Sequence, residues 1–402
     1  MKLPRADWQG WPGMAQLLAV LGARDGETRF VGGAVRDTLM QLPVYDVDFA
    51  TRLTPDAVML RLEDAGIKAV PTGLKHGTVT AVIDEGRPIE ITTLRRDVAT
   101  DGRHAKIEYT NDWQEDAARR DFTINALFAD PVSGEVSDYF GGLADLETRH
   151  VRFIGDPLER IAEDHLRILR FFRFHARFGR GDPDAEGLEA AVSRANDLMA
   201  LSRERIADEL LKTLALPDPR ATIRLMIERG IFVPVLPEIT REGWAALDRL
   251  VVRVLTLGYG PDAVRSLAAL LPADPDIART VAARLKLSRA QRTRLATAAA
   301  RETADAKHPR ALAYRLGIES AADRLLIGDA GDGDVAVALE RLATDPPPRF
   351  PLKGGALIDM GLPAGPIVSA ALRDIEDAWI AEGFPDEARA HEIAQAHIEK
   401  IQ

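Results

Sequence analysis

The chain contains no cysteine, which removes disulfides, cysteine–zinc sites and thiol nucleophiles from consideration. Long apolar runs are missing as well: none approaches the ~20 residues that a membrane span needs. The opening "MKLPRADWQGWPGMAQLL" lacks the basic start, apolar centre and small-residue cleavage site of a signal peptide. A cytoplasmic protein without membrane association is therefore expected. Several reaction signatures are also absent. There is no GxxxxGK[ST] phosphate loop and no HExxH, and no GxSxG. The eight histidines are scattered and never form a His-Asp pair, which argues against a metal phosphohydrolase. The acidic stretch "GDAGDGD" at 328–334 lacks calcium-loop spacing and reads as a helix–helix connection.

What is present is the composition of an ordinary globular protein, 46% apolar and 28% charged over 402 residues, enough for two to four domains. The net charge of −10 argues against a protein coated in nucleic acid. The charge is uneven, however. Arg279, Arg284, Lys286, Arg289, Arg292, Arg294 and Arg301 occur with no acid between Asp276 and Glu302. A second basic run, "RILRFFRFHARFGR", occupies 167–180. Either run suits a local polyanion-binding face or a solvated helix face.

Periodicity divides the chain. Residues 1–24 read as an amphipathic helix, and "TRFVGGAVRD" as a strand, a glycine turn and a helix starting near Gly33. "DVDFAT" reads as a strand, and "TPDAVMLRLEDAG" as a helix with a Thr cap and an early Pro. "GTVTAVI" and "PIEITTL" read as strands around the turn "DEGRP". Residues 95–120 are polar, show no period and are expected to form a mobile loop. "DFTINALFAD" and "EVSDYF" are the last strand-like or short helical pieces. From about residue 156 onward the pattern is helical, with a 3.6-residue apolar period and Pro/Gly punctuation. A proline cluster, "TDPPPRFPLKGG", marks a boundary near 345–355.

The chemistry concentrates in the first half. In "VYDVDFAT", residues 44–51, strand alternation projects Asp46 and Asp48 to one side and sends Val47 and Phe49 into a core. Two carboxylates this close repel unless something positive lies between them. A divalent metal supplies that charge; alternatively Asp46 caps a turn and Asp48 is a solvated strand residue. Just upstream, the "VGGAVRD" turn lets backbone N–H groups of Gly32 and Gly33 approach a phosphate, with Arg36 one turn further on. Glu90, in "PIEITTL", either completes a two-metal carboxylate set or pairs with Arg95 at the surface. In "AEDHLRILRFFRF", Asp164 and Arg167 are three apart and share a helix face beside Glu163. They form either a helix salt bridge or a reader of bases. A carboxylate that accepts and a guanidinium that donates match the pairing edges of cytosine and adenine and reject guanine and uracil.

Taken in order, "GGAVRD", "DVDFAT", "GLKHGTV", "DGRHA", "RRDFTINALF", "EDHLRILRFFRF" and "SRERIADELLK" resemble the class II tRNA nucleotidyltransferase / poly(A) polymerase family of the polymerase-β superfamily. The match covers about residues 28–215, and "PLKGGALIDMGLPAGPIVSAAL" resembles the family's tail more loosely. The resemblance implies an α+β fold: a polymerase-β-like head with a mixed sheet at 1–140, then an all-helical neck (141–215), body (216–345) and RNA-binding tail (346–402). It implies catalytic magnesium at Asp46 and Asp48, with Glu90 as a third catalytic carboxylate. It implies nucleotide binding by Gly32, Gly33, Arg36, Arg120, Asp121, Asn125 and Arg170. Glu163, Asp164 and Arg167 would template C and A, and the 95–118 loop would reorient the pocket between them. The implied substrates are CTP, ATP and the acceptor end of tRNA. An A-adding enzyme, a poly(A) polymerase, a small-molecule nucleotidyltransferase and a non-catalytic RNA-binding protein are the alternatives.

Overall fold

The computed structural model describes residues 1–101 and 104–401, so "DGRHA" lies partly outside the described residues. The chain divides into two compact units, residues 1–213 with 225–235, and residues 214–224 with 236–402.

The first unit is built on a mixed sheet of seven strands among the described residues: β1 (Thr28–Val31), β2 (Asp48–Thr51), β3 (Lys68–Gly73), β4 (Thr78–Ile83), β5 (Arg87–Thr93), β8 (Leu127–Ala129) and β9 (Val136–Asp138). Their order is β3-β4-β5-β2-β1-β8-β9. Only the β2–β5 pairing is parallel, aligning Asp48 with Glu90. The β1–β2 pairing is antiparallel and sets Val31 opposite Asp48. Centrality explains the apolar run in β2: Phe49, Ala50 and Thr51 are all buried, as is Val47 ahead of the strand. Asp46 precedes β2 rather than lying in it.

The helices of this unit are α1 (Met14–Val20), α2 (Gly33–Leu39), α3 (Pro55–Asp64), α4 (Trp113–Ala118), α5 (Gly142–Thr148), α6 (Pro157–Glu163), α7 (Leu166–Phe178), α8 (Ala185–Ser193) and α9 (Arg203–Leu214). α3 starts as its sequence dictates: the Thr54 side chain accepts from the Ala57 N–H, and Pro55 sits at the first position. Two expectations are corrected. Residues 1–24 do not form one helix, because Gly13 and Gly22 take left-handed backbone (φ 83° and 67°) on either side of α1. Residues 95–120 are not an irregular loop. They form a two-stranded antiparallel sheet, β6 (Arg95–Asp101) with β7 (His104–Tyr109), followed by α4. β6 carries no apolar alternation in its sequence, and the alternation of Ala105, Ile107 and Tyr109 along β7 is a single short signal within a polar stretch.

The second unit is helical among its described residues. α10 (Arg220–Glu228) is followed by α11 (Arg241–Thr256), α12 (Ala263–Leu270), α13 (Pro275–Arg284), α14 (Arg289–Ala299), α15 (Pro309–Leu316), α16 (Ile318–Ile327) and α17 (Asp332–Thr344). The stretch ends with α18 (Gly354–Asp359), α19 (Pro366–Ala381) and α20 (Glu387–Ile401). The proline cluster falls between α17 and α18, and most of "GDAGDGD" is the α16–α17 connection. There the guanidinium of Arg253 donates to the carbonyls of Leu326, Gly328 and Ala330 and pairs with Asp332 at 2.7 Å. The last helices close around Trp379, against which Tyr314, Phe350 and Phe384 pack. No described helix is long and apolar enough to cross a membrane.

Candidate active site

A cavity of about 370 Å3 in the first unit draws on four stretches of chain. The glycine turn and the start of α2 supply Gly32, Gly33, Arg36 and Asp37. The lead into β2 supplies Tyr45, Asp46 and Asp48. The segment between α4 and β8 supplies Arg120, Asp121 and Asn125, and α7 supplies Arg170, Phe174 and Arg177. Nine of the residues singled out in the sequence therefore meet in one place. Glu90, Glu163, Asp164 and Arg167 are not among the cavity's lining residues.

Of the two aspartates, Asp48 stands in an environment that resists its charge. Burial raises the Asp48 carboxyl to about 6, and the charges of Glu90 and Asp46 push in the same direction against Arg120. Glu90 is exposed and lies beside Asp48 across the parallel β2–β5 ladder. Among the described residues no three acidic or imidazole groups converge to cage a metal ion. Asp46 and Asp48 both line the cavity. That suits a magnesium-type ion, which takes one or two carboxylates together with substrate phosphates rather than an all-protein cage.

Opposite stands a wall of arginines, each paired with a carboxylate. Arg36 is buried, stacks 4.0 Å from the Phe178 ring centre, pairs with Asp37 at 2.7 Å and donates to the Asn125 carbonyl oxygen. Burial lowers its pKa. Arg177 reaches the other oxygen of Asp37 at 3.3 Å. Asp121 accepts from Arg170 at 2.5 Å, from the Asn125 amide at 3.0 Å and from the Phe122 N–H at 2.9 Å. Burial alone would raise the Asp121 carboxyl; Arg170, the Asn125 bond and Arg167 override it and hold it well below the usual carboxylate range. Arg120 pairs with buried Asp116 at 3.1 Å, while its Nε is buried without a protein partner. Arg120 as a whole lines the cavity, and a guanidinium keeps donors beyond one carboxylate pairing for an anion.

The glycine turn differs in one respect from the sequence reading. Gly32 takes φ 66°, ψ −123°, which only glycine adopts readily. Its N–H donates to the Leu127 carbonyl at 3.0 Å and is not available to a phosphate. The N–H groups of Gly33 and Ala34 open α2 and have no intrahelical partner.

The proposed base reader is also built differently. Asp164 does not share a helix with Arg167. It takes extended backbone (φ −153°, ψ 106°) at the end of α6, accepts from the Leu166 N–H at 3.1 Å, and pairs with Arg205 of α9 at 2.7 Å. Arg167 pairs with Glu163 at 2.5 Å and donates to the carbonyls of Arg160 (2.8 Å) and Arg119 (3.0 Å). Each member of the expected pair thus has a different partner.

Sequence reasoning missed Asp37, Tyr45, Phe174 and Arg177. The last two were within reach: Arg170, Phe174 and Arg177 stand at i, i+4 and i+7 and share one face of α7. Asp37 lay inside the quoted "VGGAVRD". Tyr45 carries no motif.

Residues 28–152 match the model of the poly A polymerase head domain, and residues 183–242 match a probable RNA and SrmB-binding site of polymerase A. The chain is 36% identical to the mitochondrial CCA tRNA nucleotidyltransferase 1 of Mus musculus, over 96% of this chain and 90% of that protein. The CCA-adding enzyme of Limosilactobacillus fermentum is 32% identical over 86% of each. The chain belongs to the CCA-adding tRNA nucleotidyltransferase family. Nucleotidyl transfer is its reaction, and of the alternatives open on sequence none is favoured. Among solved structures, the Bacillus stearothermophilus CCA-adding enzyme in complex with CTP superposes with a TM-score of 0.70 at 26% identity, covering 97% of this chain and 99% of that one. A Thermotoga maritima CCA-adding enzyme complexed with tRNA shares the fold, with a TM-score of 0.71 at 21% identity over 97% and 95%.

Proposed function

We propose that this chain adds C, C and A in turn to the 3′ end of tRNA, using CTP and ATP, without a nucleic-acid template and with release of pyrophosphate. The observation that carries this reading is the cavity itself, which Asp46 and Asp48 line together with a wall of arginines. Asp46 and Asp48 would hold magnesium, because the Asp48 carboxyl, disfavoured by burial and by the neighbouring carboxylates Glu90 and Asp46, is stabilised by a cation. Held by these residues, magnesium would supply a Lewis acid for the attacking hydroxyl and charge neutralisation for the phosphates. Glu90 adds negative potential behind Asp48 and supports the same charge balance.

The chain's other groups bind and orient. Arg36, Arg120 and Arg177, with the Gly33 and Ala34 N–H groups, take the triphosphate. The Asp121–Asn125–Arg170 network fixes the wall behind the sugar. For base selection, Asp164 accepts the exocyclic amine and Arg167 donates to the ring acceptors. Glu163 and Arg205 position those two side chains in the absence of a base. Residues 1–140 are head, 141–215 neck, 216–345 body and 346–402 tail in this reading, with the helical parts holding the acceptor arm. A cytoplasmic setting belongs to the proposal too; the mitochondrial name of the mouse relative makes localisation of a tagged chain the deciding measurement.

The test is extension of three tRNA transcripts, ending before CCA, after C and after CC, with each labelled nucleotide and magnesium. Two C additions, one A addition and a stop are expected. A alone on the CC-ended transcript would make it an A-adding enzyme. Many A residues on any RNA would make it a poly(A) polymerase, and no incorporation would refute catalysis.

A further inference from the structure

Tyr45 is 79% exposed, yet it lines the cavity and immediately precedes Asp46. Among the described residues its ring meets no other ring or cation, and its hydroxyl makes no hydrogen bond. The other aromatic lining residue, Phe174, is the opposite case. It is buried, packs 5.1 Å from Phe122 and 5.6 Å from Phe178, and carries Arg170 and Arg173 over its face. Phe174 is wall; Tyr45 is an unused aromatic surface.

Exposure orders the cavity by depth. Arg36, Asp121 and Asn125 are buried, Asp48 is half-buried, and Asp46 and Tyr45 are exposed. A nucleotide seated against the arginines fills the deep part. The RNA strand enters from solvent, and its 3′-hydroxyl must come to the Asp46–Asp48 carboxylates. One residue of extended chain spans only ~3.3 Å, so the residue before Asp46 stands where the terminal nucleoside of that RNA arrives.

Resting on the proposed CCA addition, we propose that Tyr45 is the platform on which the 3′-terminal base of the RNA stacks. The reaction calls for such a surface. The terminal base changes with each addition, so hydrogen bonds tuned to one base would fail at the next. Stacking on an aromatic face tolerates every base. The phenol needs no partner of its own at the solvent edge, and the ring contributes contact area with little side-chain freedom to lose.

The test compares the wild type with Tyr45→Ala and Tyr45→Trp on minihelix RNAs ending before CCA, after C and after CC. Tyr45→Ala should raise KM for each RNA by about 5- to 150-fold, the loss expected for one stacked base. KM for CTP and ATP should stay within about twofold, and Tyr45→Trp should restore RNA KM. A 3′-terminal 2-aminopurine on the RNA, titrated without nucleotide or metal, should be quenched by the wild type and by Tyr45→Trp but not by Tyr45→Ala. This binding signal does not need turnover, so it separates failure of the platform from failure of the catalytic reading. An unchanged RNA KM, or a rise confined to nucleotide KM, overturns the proposal; so does equal quenching by Tyr45→Ala.

Discussion

Replacing Asp48 with asparagine should make the protein more stable and inactive at once. The Asp48 carboxyl is raised from an ordinary 3.8 to about 6, first by burial and then by Glu90 and Asp46. The sign follows from proton binding. Between those values the folded chain holds a proton that the unfolded chain releases, so stability falls as pH rises from about 4 to about 6. At ~1.4 kcal/mol per pH unit, ionised Asp48 weakens the fold at pH 8 by on the order of 3 kcal/mol. Partial exposure screens part of this, leaving an expected gain of about 1–3 kcal/mol for Asp48→Asn. A domain of this size shifts by roughly 2–4 °C per kcal/mol, so melting of the first unit should rise by about 2–12 °C in EDTA at pH 8. The gain should shrink as pH falls through 6 and be nearly gone at pH 4. Magnesium should raise the melting temperature of the wild type and leave the variant unmoved, while the variant loses nucleotide incorporation. A variant that melts at or below the wild type at pH 8, or a gain that persists at pH 4, would refute the account of Asp48 as a buried, self-repelling carboxylate.

Asp121→Asn removes the closer of the two carboxylates that Arg170 meets, leaving Glu209 at 3.6 Å, and should destabilise by about 1–3 kcal/mol in urea unfolding, less than the cost of a wholly unpaired buried charge. Because the Asp121 carboxyl is held low, wild-type stability from this group is present at neutral pH and lost as pH falls through the ordinary carboxylate range and below. Arg167→Ala should weaken discrimination of CTP over UTP by about 5- to 150-fold in single-turnover incorporation, the worth of one polar contact left unpaired. In the basic run, Arg284 pairs with Glu238, Arg294 with buried Asp323, and Arg301 donates to the carbonyls of Ala268 and Leu271. Arg289 and Arg292 are exposed and line a cleft of about 560 Å3 with Arg279. Reversing both to Glu should flatten the salt dependence of tRNA binding by about two in log–log slope, measured by filter binding. Arg294→Glu should instead cost stability.

The sequence announced elements wherever a pattern was local. The Thr54 cap, the β4–β5 turn and the glycine ahead of α2 are each set by residues within a few positions, and the structure forms each of them. Of the DxD reading, the burial of Val47 and Phe49 was legible because it is a local rule, whereas Asp46 stands ahead of β2 and does not share its alternation. What could not be read was partner choice across long separations. Arg205 is 41 residues from Asp164, and no spacing rule links them. The same limit hid the commitment of the Gly32 N–H to Leu127, which depends on β1 lying against β8. The β6–β7 hairpin was missed for a different reason: β6 (RRDVATD) has no apolar alternation, and the period in β7 (HAKIEY) is one short run without a recognisable partner beside it.

The arginine wall explains how a chain of net charge −10 can hold a triphosphate. A cluster of unpaired guanidiniums would repel itself before any nucleotide arrived. Here Arg36 and Arg177 share Asp37, Arg120 has Asp116 and Arg170 has Asp121. Each carboxylate fixes its guanidinium and lowers the repulsion between neighbours, so little reorganisation remains when phosphate binds. Five donors per guanidinium leave N–H groups over after one pairing. Acidic residues behind the wall are therefore part of the nucleotide site and not a charge working against it. That is why Asp116, which does not line the cavity, and Asp37, which does, should both be as intolerant of substitution as the arginines they hold.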